Sequence, residues 1–513
     1  MKGFINKTVR LFLRSKYNSL KQVIENPHHY QKRQFKKLLD RARHTEWGRK
    51  FAYDEIADYS AFKTRIPIST YEDIQPFIER MMKGEKDILW PGSTTWFSKS
   101  SGTTGTRSKF LPVSEDNFSE CHKKGSWDTI SILYHNNPDL KLFERKSLIL
   151  GGSLSHYDPH PETIIGDVSA IMIANLPLIG RPFYVPEVKV AIMQDWQEKL
   201  ELTANLTIHE EDIATIGGVP TWNLVLFHKI LEKTGAQHML EVWPHLKLYI
   251  HGGVNFAPYR SQFQKLIPRE DFLYQEVYNA SEGYFGTQLT PEGDMILLLD
   301  NGIFYEFIPL EDYGKNDAEP VPLEGVAEGN IYVIVISTSS GLWRYEIGDT
   351  IQFTSTQPYT FRITGRTQQF INAFGEEVMI HNTDTAISRT AHKTRSEIKD
   401  YTVAPFYLKD GDRGRHDWLI EFQHPPADYE EFTCILDQEL QNLNSDYAAK
   451  RTQDLALERL NIRVVCNGTF ERWLKYKNRQ GSQVKVPRLS NDRRYIDDIL
   501  DFMDQTDPPS ISS

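Results

Sequence analysis

The spacing of apolar residues predicts that roughly the first 90 residues are mostly helical. Residues 30–45 have the period of a helix that buries one face, and residues 69–73 resemble a helix start with acids in the first turn. An apolar stripe at the N-terminus comprises Phe4, Ile5, Val9, Phe12, Leu13, Leu20 and Val23. Its spacing predicts a helix docked on the body of the protein. The basic residues of this segment, with no acid before Glu25, leave a membrane-surface helix or a transit peptide as the alternative.

Three apolar runs in the middle of the chain end in glycine turns. They occupy residues 147–152, 213–218 and 246–253, and the last two precede helical stretches at residues 222–233 and 258–266. An apolar strand, a glycine turn and a helix in succession are typical of a parallel or mixed α/β sheet. Ligands of such sheets bind beyond the carboxyl ends of the strands, so we expect a site next to these turns.

Strand patterns dominate the chain from residue 296 onward. They occupy residues 296–299, 303–308, 330–337, 350–353 and 359–364, and the acidic run 311–328 is expected to form a surface loop. The remaining chain has a strand pattern at residues 418–423, a helix pattern at residues 429–444 and a strand pattern at residues 461–465. We therefore predict an α/β protein with a boundary at residues 365–367, a large N-terminal domain (residues 1–365) and a small α+β C-terminal domain (residues 366–513).

Length and composition describe an ordinary soluble protein with more than one domain. A chain of 513 residues exceeds what one hydrophobic core usually serves, and 40% hydrophobic and 25% charged residues are typical of globular proteins. The net charge of -10 argues against a general nucleic-acid binder. Three cysteines without close spacing exclude a CxxC motif and fit the cytoplasm. Because no apolar run approaches the ~20 residues that span a bilayer, we expect no membrane partner.

Residues 100–109 combine glycines, small hydroxyl side chains and a terminal lysine. Glycines let backbone N–H groups converge on an anion, hydroxyls donate further hydrogen bonds and lysine adds charge, so this composition favours a phosphate-binding loop. The segment is not a Walker A loop, because Arg107 stands where that motif needs its second glycine, and Lys109 comes two residues later. The alternative is a solvated Gly/Ser/Thr turn.

Four further segments carry side chains that suit a nucleotide site. Residues 278–283 follow a strand pattern and bring an aromatic ring, a hydroxyl and a carboxylate together. Asp349 follows a glycine and is placed to accept ribose hydroxyls, Arg366 supplies a cation at the predicted boundary, and Lys485 lies in the glycine-flanked segment 481–488. Each residue alone has a structural explanation, such as a turn cap or a surface ion pair. Their presence together favours a shared site.

The order of these segments resembles the acyl acid amido synthetase family best known from auxin-responsive plant enzymes, a branch of the adenylate-forming superfamily. The family motifs are SSGTSxGxxK, YxxSE, YRxGD and a late NQYKxPR-like segment; their counterparts here are residues 100–109, 278–282, 345–349 and 483–488. Residues 66–80 also resemble the family's approach to the loop, so the likeness spans most of the chain. Thr104 and Thr106 replace a serine and a glycine of the first motif. Glu346 replaces the arginine of YRxGD, which leaves Arg344 as the expected nearby cation.

The resemblance implies a role for each motif residue in binding ATP and Mg²⁺. The residues expected to cradle the β- and γ-phosphates are Ser100, Ser101, Gly102, Thr103, Thr104, Gly105 and Lys109. Ser281 is expected to contact the α-phosphate and Glu282 to hold Mg²⁺, a cation that prefers oxygen ligands. The remaining residues assigned to the nucleotide are Tyr278 against adenine, Asp349 on the ribose, and Gly252, Gly253 and Arg366. The expected catalytic residues are Lys485, Ser281 and Glu282, with Lys485 arriving from the C-terminal domain at the reacting carboxylate.

Two strand-end turns are candidates for the acyl pocket. Residues 217–222 and 251–256 would line it with Val219, Trp222, Val254 and Phe256, and the same side chains are equally consistent with an ordinary core. His251 is a candidate base for the incoming amine, which must lose a proton, although a lone histidine at a strand end is more often structural.

The resemblance also implies the architecture, the reaction and the partners. It implies β-sheets with a β-barrel-like subdomain in the large domain, and a small lid domain that moves between half-reactions. A carboxylic acid would attack the α-phosphorus of ATP and expel pyrophosphate, and an amine, typically an amino acid, would then attack the acyl adenylate and release AMP. We expect a cytoplasmic monomer or weak homodimer. The alternatives are an acid-coenzyme A ligase with the same first step, and a catalytically silent nucleotide-binding homologue.

Overall fold

The computed structural model describes the chain as two compact units. The described residues are 2–100, 109–178, 180–253, 256–315, 318–367, 370–371, 376, 378–407, 414–444, 447–448, 451, 457–477, 485–490 and 492–506. The first unit comprises Met1–Ile347 and Ile351–Arg362, and the second comprises Gly348–Thr350 and Ile363–Ser513. The predicted domain boundary at residues 365–367 lies near the start of the long segment of the second unit.

The helices of the first unit surround its sheets. They are α1 (Lys2–Glu25), α2 (Pro27–Ala42), α3 (Glu46–Lys50), α4 (Tyr59–Arg65), α5 (Tyr71–Met82), α6 (Glu115–Asn117), α7 (Lys124–Asn136), α8 (Val168–Ala174), α9 (Val188–Ala191), α10 (Trp196–Thr207), α11 (Pro220–Thr234), α12 (Met239–Val242) and α13 (Arg260–Leu266). A π-helical segment, Phe118–Lys123, joins α6 to α7. Among the described helices, none combines the length and apolarity that crossing a membrane requires.

Local hydrogen bonds explain where the first helices begin and end. The helix predicted at residues 30–45 corresponds to α2, which ends earlier because Thr45 caps α3 by accepting the Gly48 N–H at 3.0 Å. The helix start predicted at residues 69–73 is confirmed, because Thr70 and Asp73 form a reciprocal capping box at the start of α5.

The strands of the first unit form two sheets. They are β1 (Trp96–Ser100), β2 (Lys109–Val113), β3 (Lys146–Leu150), β4 (Leu154–Tyr157), β5 (His160–Gly166), β6 (Tyr184–Val185), β7 (Ile213–Gly218), β8 (Leu248–His251), β9 (Leu273–Asn279), β10 (Tyr284–Gln288), β11 (Met295–Leu297), β12 (Ile303–Pro309), β13 (Val321–Pro322), β14 (Ile331–Thr338), β15 (Tyr345–Thr356) and β16 (Tyr359–Arg366), of which β15 and β16 also carry residues of the second unit. The smaller sheet has the order β2-β1-β5-β4.

The larger sheet joins a parallel and an antiparallel part. Its order is β13-β12-β14-β15-β16-β11-β10-β9-β8-β7-β3-β6. The strands β6, β3, β7, β8 and β9 pair in parallel, and β9 pairs with β10 in the antiparallel sense. The strands predicted at residues 147–152, 213–218 and 246–253 correspond to β3, β7 and β8, which confirms the α/β class. The antiparallel strands, expected to resemble a barrel, continue the parallel sheet.

The parallel strands are covered on both faces. On one face, Tyr249 of β8 belongs to a buried cluster with Phe227 of α11 and Phe263 of α13. On the other face, Leu248 clusters with Leu13 of α1 and Leu133 of α7. Burying side chains of this size stabilises the fold by about 1.5–3 kcal/mol each, so the strands are firmly held and their carboxyl ends have fixed positions.

The second unit is an α+β arrangement, as expected for the last part of the chain. Its elements are β17 (Phe370–Ile371), β18 (Val378–Met379), α14 (Ile380–Thr394), β19 (Glu397–Tyr407), β20 (Gly414–His424), α15 (Tyr429–Leu443), β21 (Asn461–Val465), α16 (Thr469–Tyr476) and α17 (Arg494–Thr506). β19 and β20 are antiparallel, and β20 pairs in parallel with β21. The core between this sheet and α14 and α15 contains Trp418, Ile387 and Leu436.

Candidate active site

The hairpin of β1 and β2 carries the predicted phosphate loop. Ser100 lies opposite Lys109 in its antiparallel register. The Lys109 ammonium lies 5.5 Å from the ring centre of Tyr71, and the Tyr71 hydroxyl accepts the Phe110 N–H at 2.9 Å. The first residue of α5 therefore anchors the base of the hairpin. The loop residues Ser101, Gly102, Thr103, Thr104 and Gly105 lie outside the described residues.

The carboxyl ends of β7, β8 and β9 bring three predicted segments to one edge of the sheet. Gly217 is aligned with Ile250, and His251 is aligned with Glu276. Parallel neighbours end at the same edge, so the segments that follow these strands are close in space. They include Val219 after β7, the two glycines after β8 and the Tyr278 motif at the end of β9.

Gly252 and Gly253 let the chain pass close to β9 at this edge. A Cβ on Gly252 would lie 2.4 Å from the backbone oxygen of Val277, which cannot move aside as a flexible side chain would. Gly253 has a φ of +79°, in the left-handed region that favours glycine. Both glycines are required by the backbone path, and their contact with a nucleotide stays a prediction.

The turn between β9 and β10 presents Ser281 and Glu282. The Ala280 N–H donates to the Gly283 oxygen at 2.9 Å and closes the turn. Glu282 is only 7% exposed, and Ser281 is partly exposed. The ring of Tyr278 is buried, and its nearest aromatic neighbours are Phe285 at 4.8 Å and Phe361 at 6.1 Å between ring centres. Stacking of Tyr278 on adenine stays a prediction.

The side-chain oxygen atoms of this turn suit Mg²⁺ bound together with a nucleotide. Proteins usually hold Mg²⁺ through one or two carboxylates and leave other positions to substrate phosphates and water. Within the described ranges there is no group of three or more His, Cys, Asp or Glu side chains that could hold a metal ion. The single carboxylate of Glu282, beside the Ser281 hydroxyl, fits an ion that completes its coordination with phosphate oxygens.

The π-helical segment supports this turn through two contacts that no sequence pattern predicted. The Cys121 sulfur accepts the Tyr284 N–H at 3.1 Å, and His122 Nδ1 lies 3.0 Å from the side-chain oxygen of Asn279. Because that oxygen can only accept, Nδ1 carries the proton. Burial lowers the pKa of His122 to about 4, so its ring is neutral at neutral pH. Nothing in the spacing of these residues distinguishes a π-helix from an α-helix.

The predicted acyl-pocket residues lie at the same edge but are largely packed as core. Trp222 is 8% exposed and Phe256 is 5% exposed, and both belong to the cluster beneath the parallel sheet. The Trp222 ring lies 5.3 Å from Trp196. Val219 is partly buried at the end of β7, and Val254 lies outside the described residues. Contact of these side chains with an acyl group stays a prediction.

The electrostatics of this edge favour a structural role for His251. Burial, helped by the charge of Arg260, lowers the pKa of His251 to about 3, and its ring centre lies 4.2 Å from that of Phe256. A histidine this weakly basic does not take a proton at neutral pH. In contrast, burial raises the pKa of Glu276 to about 7. No sequence pattern marks Glu276, which sits in an ordinary strand.

Arg344 does not supply the cation expected beside Glu346. Its guanidinium is 4% exposed and donates to both oxygens of Glu306, at 2.8–3.1 Å. It also donates to the carbonyl oxygens of Lys63 at 2.9 Å and Ile66 at 2.6 Å. Glu346 accepts a hydrogen bond from another side chain, at 2.6 Å. The expectation for Arg344 is wrong, because this guanidinium ties α4 and the segment after it to β12.

In the second unit, Asp349 and Arg366 contact each other. Arg366 Nε donates to Asp349 Oδ1 at 2.6 Å across β15 and β16. Gly348 has a φ of +79°, and its oxygen accepts the Thr367 N–H at 2.8 Å. The ion pair fixes the orientation of the Asp349 carboxylate. Its contact with a ribose, and that of Arg366 with the nucleotide, stay predictions.

Lys485 lies in a charged cluster of the second unit. Arg488 contacts Asp384 at 2.7 Å and Asp400 at 3.6 Å, and its guanidinium lies 4.6 Å from the ring centre of Tyr401. The Lys485 side chain is exposed at the surface. The protein atoms around it and the charge of Arg488 lower its pKa to about 8, whereas the carboxylates of Asp400 and Asp384 act to raise it. Lys485 is therefore mainly cationic at neutral pH.

Comparison with known proteins finds the same family along almost the whole chain. Models of the GH3 family match in three parts: the N-terminal domain at residues 16–150 and 152–272, the central domain at residues 296–366 and the C-terminal domain at residues 381–494. The indole-3-acetic acid-amido synthetase GH3.3 of Arabidopsis thaliana is 23% identical, over 91% of this chain and 90% of its own. The 4-substituted benzoates-glutamate ligase GH3.12 of the same plant is also 23% identical, over 91% and 94%.

Solved structures agree with this match in their fold. The GH3.15 acyl acid amido synthetase has a TM-score of 0.76 at 18% identity and covers 95% of this chain and 96% of its own. A 2-hydroxyisobutyryl-CoA ligase in complex with 2-HIB-AMP has a TM-score of 0.56 at 11% identity and covers 92% of each chain. With all three of its domain models found in order, this chain belongs to the GH3 family.

Proposed function

We propose that this chain is an ATP-dependent acyl acid amido synthetase. It adenylates a carboxylic acid and transfers the acyl group to the amine of an amino acid, with release of pyrophosphate and AMP. Support comes from relatives that carry amido synthetase and amino acid ligase names and match this chain over about nine-tenths of both lengths. The three free cysteines fit a cytoplasmic enzyme, which we propose is a monomer or weak homodimer.

The observation that carries the proposal is the meeting of three segments at one sheet edge. The register of β7, β8 and β9 puts Val219, the Gly252 turn and the Ser281–Glu282 turn side by side. A carboxylate, a hydroxyl and a glycine-rich backbone beyond the carboxyl ends of parallel strands suit a nucleotide and its metal ion.

In the proposed first step, a carboxylate oxygen of the acid attacks the α-phosphorus of ATP and the bond to pyrophosphate breaks. Negative charge builds on the phosphate oxygens, so donors and cations in fixed positions lower the barrier. Lys109 and the preceding loop hold the β- and γ-phosphates, Ser281 donates to the α-phosphate, and Lys485 stabilises the developing charge. Mg²⁺, held by Glu282, supplies further positive charge when bound.

In the proposed second step, the neutral amine attacks the acyl carbonyl, the amide bond forms and AMP leaves. The amine must pass a proton to a base or to the phosphate of the departing AMP. His251 is unsuitable because its pKa of about 3 is too low to hold that proton. The phosphate of AMP is the acceptor that we propose, because its oxygens become more basic as the bond to the acyl carbon breaks.

A pyrophosphate-release assay with a panel of acids tests the first step. Aryl, indole and aliphatic acids are offered with ATP and Mg²⁺, and at least one is expected to stimulate release. ATP binding without release by any acid in the panel would support a silent nucleotide-binding protein instead.

An acceptor panel tests the second step. The acid that stimulates release is combined with amino acids or with coenzyme A, and the products are read by mass spectrometry. We expect an amide with at least one amino acid and no thioester. A thioester without any amide would replace the proposal with an acid-coenzyme A ligase.

A further inference from the structure

The strand order of the large sheet reverses between β3 and β7. From β3 the chain passes to β6 on one side, then returns across β3 to β7 on the other side and continues to β8 and β9. In open parallel sheets, ligands bind in the crevice outside the carboxyl ends at such a reversal. Leu150 is aligned with Gly218, so residues 151–153 and Val219 border this crevice, which we call the switch crevice.

Side chains from two helices fix the turn at residues 151–153. The Gly152 N–H donates to the Ser169 hydroxyl at 3.0 Å, and the Ser153 N–H donates to the Asp167 carboxylate at 2.7 Å. The Lys199 ammonium donates to the oxygens of Gly151 at 3.2 Å and Gly152 at 2.7 Å. The backbone groups that leave the β3 ladder are thereby satisfied by α8, its N-terminal flank and α10.

Burial makes Lys199 an unusual component of this turn. It is 1% exposed, and it is the only buried lysine in the part of the chain that the structure describes. Burying an ammonium is costly unless it is paired and hydrogen-bonded, and here two carbonyls and the nearby Asp167 compensate it. A methionine would fill a similar volume without this cost. The presence of an ammonium here is therefore explained by its hydrogen bonds to the turn rather than by the volume that the side chain fills.

Lys199 also lies near aromatic side chains of α10 and α11, the helix that follows Val219. Its ammonium lies 5.8 Å from the ring centre of Trp196, and that ring lies 5.3 Å from Trp222. The turn passes so close to Asp167 that position 152 requires glycine, because a Cβ there would lie 1.7 Å from the carboxylate. A series of contacts thus runs from the turn through Lys199 and Trp196 to Trp222 of α11.

We propose that Lys199 is a positioning residue that holds the turn at residues 151–153 as a wall of the acyl site in the switch crevice. The inference rests on the proposed function and assigns the uncharged body of the acid to this crevice. The positive charge of Lys199 is turned toward two carbonyls and Asp167 rather than toward the crevice. The wall therefore suits an uncharged acyl group rather than the carboxylate of the acid. Lys199 acts through the backbone turn and does not enter the chemistry.

The test compares Lys199→Met with the wild type and with Lys229→Met. Lys229 is a partly exposed lysine that pairs with Glu201, so its replacement controls for loss of a lysine without loss of the turn contacts. With the acid found in the release assay, Lys199→Met is expected to raise the KM for the acid about tenfold or more and to leave the KM for ATP within about twofold. An unchanged KM for the acid, or equal rises in both KM values, would overturn the inference.

Amide hydrogen exchange supplies a readout that does not depend on activity. In Lys199→Met, the amides of Gly152 and Ser153 are expected to exchange about tenfold faster or more, with little change elsewhere in the first unit. Unchanged exchange at these amides would show that Lys199 does not hold the turn. Wild-type protein that releases no pyrophosphate with any acid contradicts the proposed function and this inference together, whereas an active wild type with an unaffected variant contradicts this inference alone.

If Lys199→Met does not fold, Asp167→Asn takes its place. The amide oxygen can still accept the Ser153 N–H, while the charge facing Lys199 is lost. A rise of about threefold or more in the KM for the acid, with the KM for ATP unchanged, supports the inference. Equal KM values for the acid in Asp167→Asn and wild type would overturn it.

Discussion

The charge of Lys485 is the single-residue feature with the most direct expected effect on the reaction. Removing a cation that acts mainly in the transition state costs about 100-fold or more in rate. Lys485→Ala is therefore expected to suppress acid-dependent pyrophosphate release and to leave ATP binding, measured by calorimetry, largely intact. Lys477→Ala is the control, since Lys477 pairs with Asp498 at 2.7 Å within the same unit. Equal release by Lys485→Ala and wild type would remove Lys485 from the mechanism.

The ion pair of Arg344 and Glu306 should matter for stability rather than for catalysis. Arg344→Met leaves a buried carboxylate without its partner, and breaking such a pair costs about 3–5 kcal/mol. Urea unfolding should show this loss. The double variant Arg344→Met/Glu306→Leu should lose less, because both charges are gone. Arg362→Met, which breaks an exposed pair with Asp294, should cost about 0–1 kcal/mol; a similar cost for Arg344→Met would contradict the structural role.

At the scale of secondary-structure elements, the close approach of β8 and β9 gives a sharp comparison between two glycines. Gly252→Ala puts a Cβ against the backbone oxygen of Val277, whereas a Cβ on Gly217 would have its nearest neighbour at 3.7 Å, an ordinary contact. Overpacking of this kind costs about 1–3 kcal/mol. We expect Gly252→Ala to lower the unfolding midpoint in urea and Gly217→Ala to change it little. Equal midpoints for the two variants would argue against so close an approach of the β8 turn to β9.

Individual strands and their glycine turns were predictable from the sequence, whereas the contacts between distant elements were not. The apolar runs and glycines located β3, β7 and β8, because a buried parallel strand needs a continuous apolar stretch. The motif order located the Ser281 turn through family resemblance. In the sequence, Lys199 looks like an ordinary solvated charge, and Arg344 looks like a cation for the nucleotide motif. Their roles depend on carbonyls and carboxylates up to hundreds of residues away, which no local pattern encodes.

At the scale of the whole molecule, buried histidines make the first unit sensitive to acid. The folded pKa values are about 4 for His122 and about 3 for His251, below the ordinary 6.5. Below pH 6.5 the unfolded chain therefore binds protons that the folded unit does not, and stability is lost as the pH falls. Glu276, with its pKa raised to about 7, acts in the opposite direction. Its contribution to the stability of the folded unit is complete below about pH 4.5 and is lost as the pH rises through 7.

The double variant His122→Gln/His251→Gln isolates the histidine contribution. Its unfolding free energy should fall less than that of the wild type between about pH 7 and pH 5, because two proton-uptake sites of the unfolded chain are gone. Urea titrations at several pH values measure the difference, with the exposed His44→Gln as the control. Parallel pH profiles for the double variant and the wild type would contradict the assigned protonation states.

The succession of secondary-structure types along the chain could be predicted from the sequence, because the spacing of apolar residues changes from one part of the chain to the next. Helical periodicity, then glycine-ended strands, then dense strand patterns distinguish the parts of the first unit. The π-helical segment and the continuity of the antiparallel and parallel strands escaped prediction, since both depend on tertiary pairing rather than on local spacing. The misassignment of Arg344 has the same origin, because its partner Glu306 lies in β12, 38 residues earlier in the chain.

The buried thiol of Cys121 allows the opening of this site to be followed by chemical labelling. Its sulfur accepts the N–H that follows the Glu282 turn, while Cys434 and Cys466 are exposed. With the two exposed cysteines replaced by serine, a thiol reagent can react only when the π-helical segment separates from β10. The labelling rate would then report how often the candidate site opens, and a nucleotide that binds there should slow it.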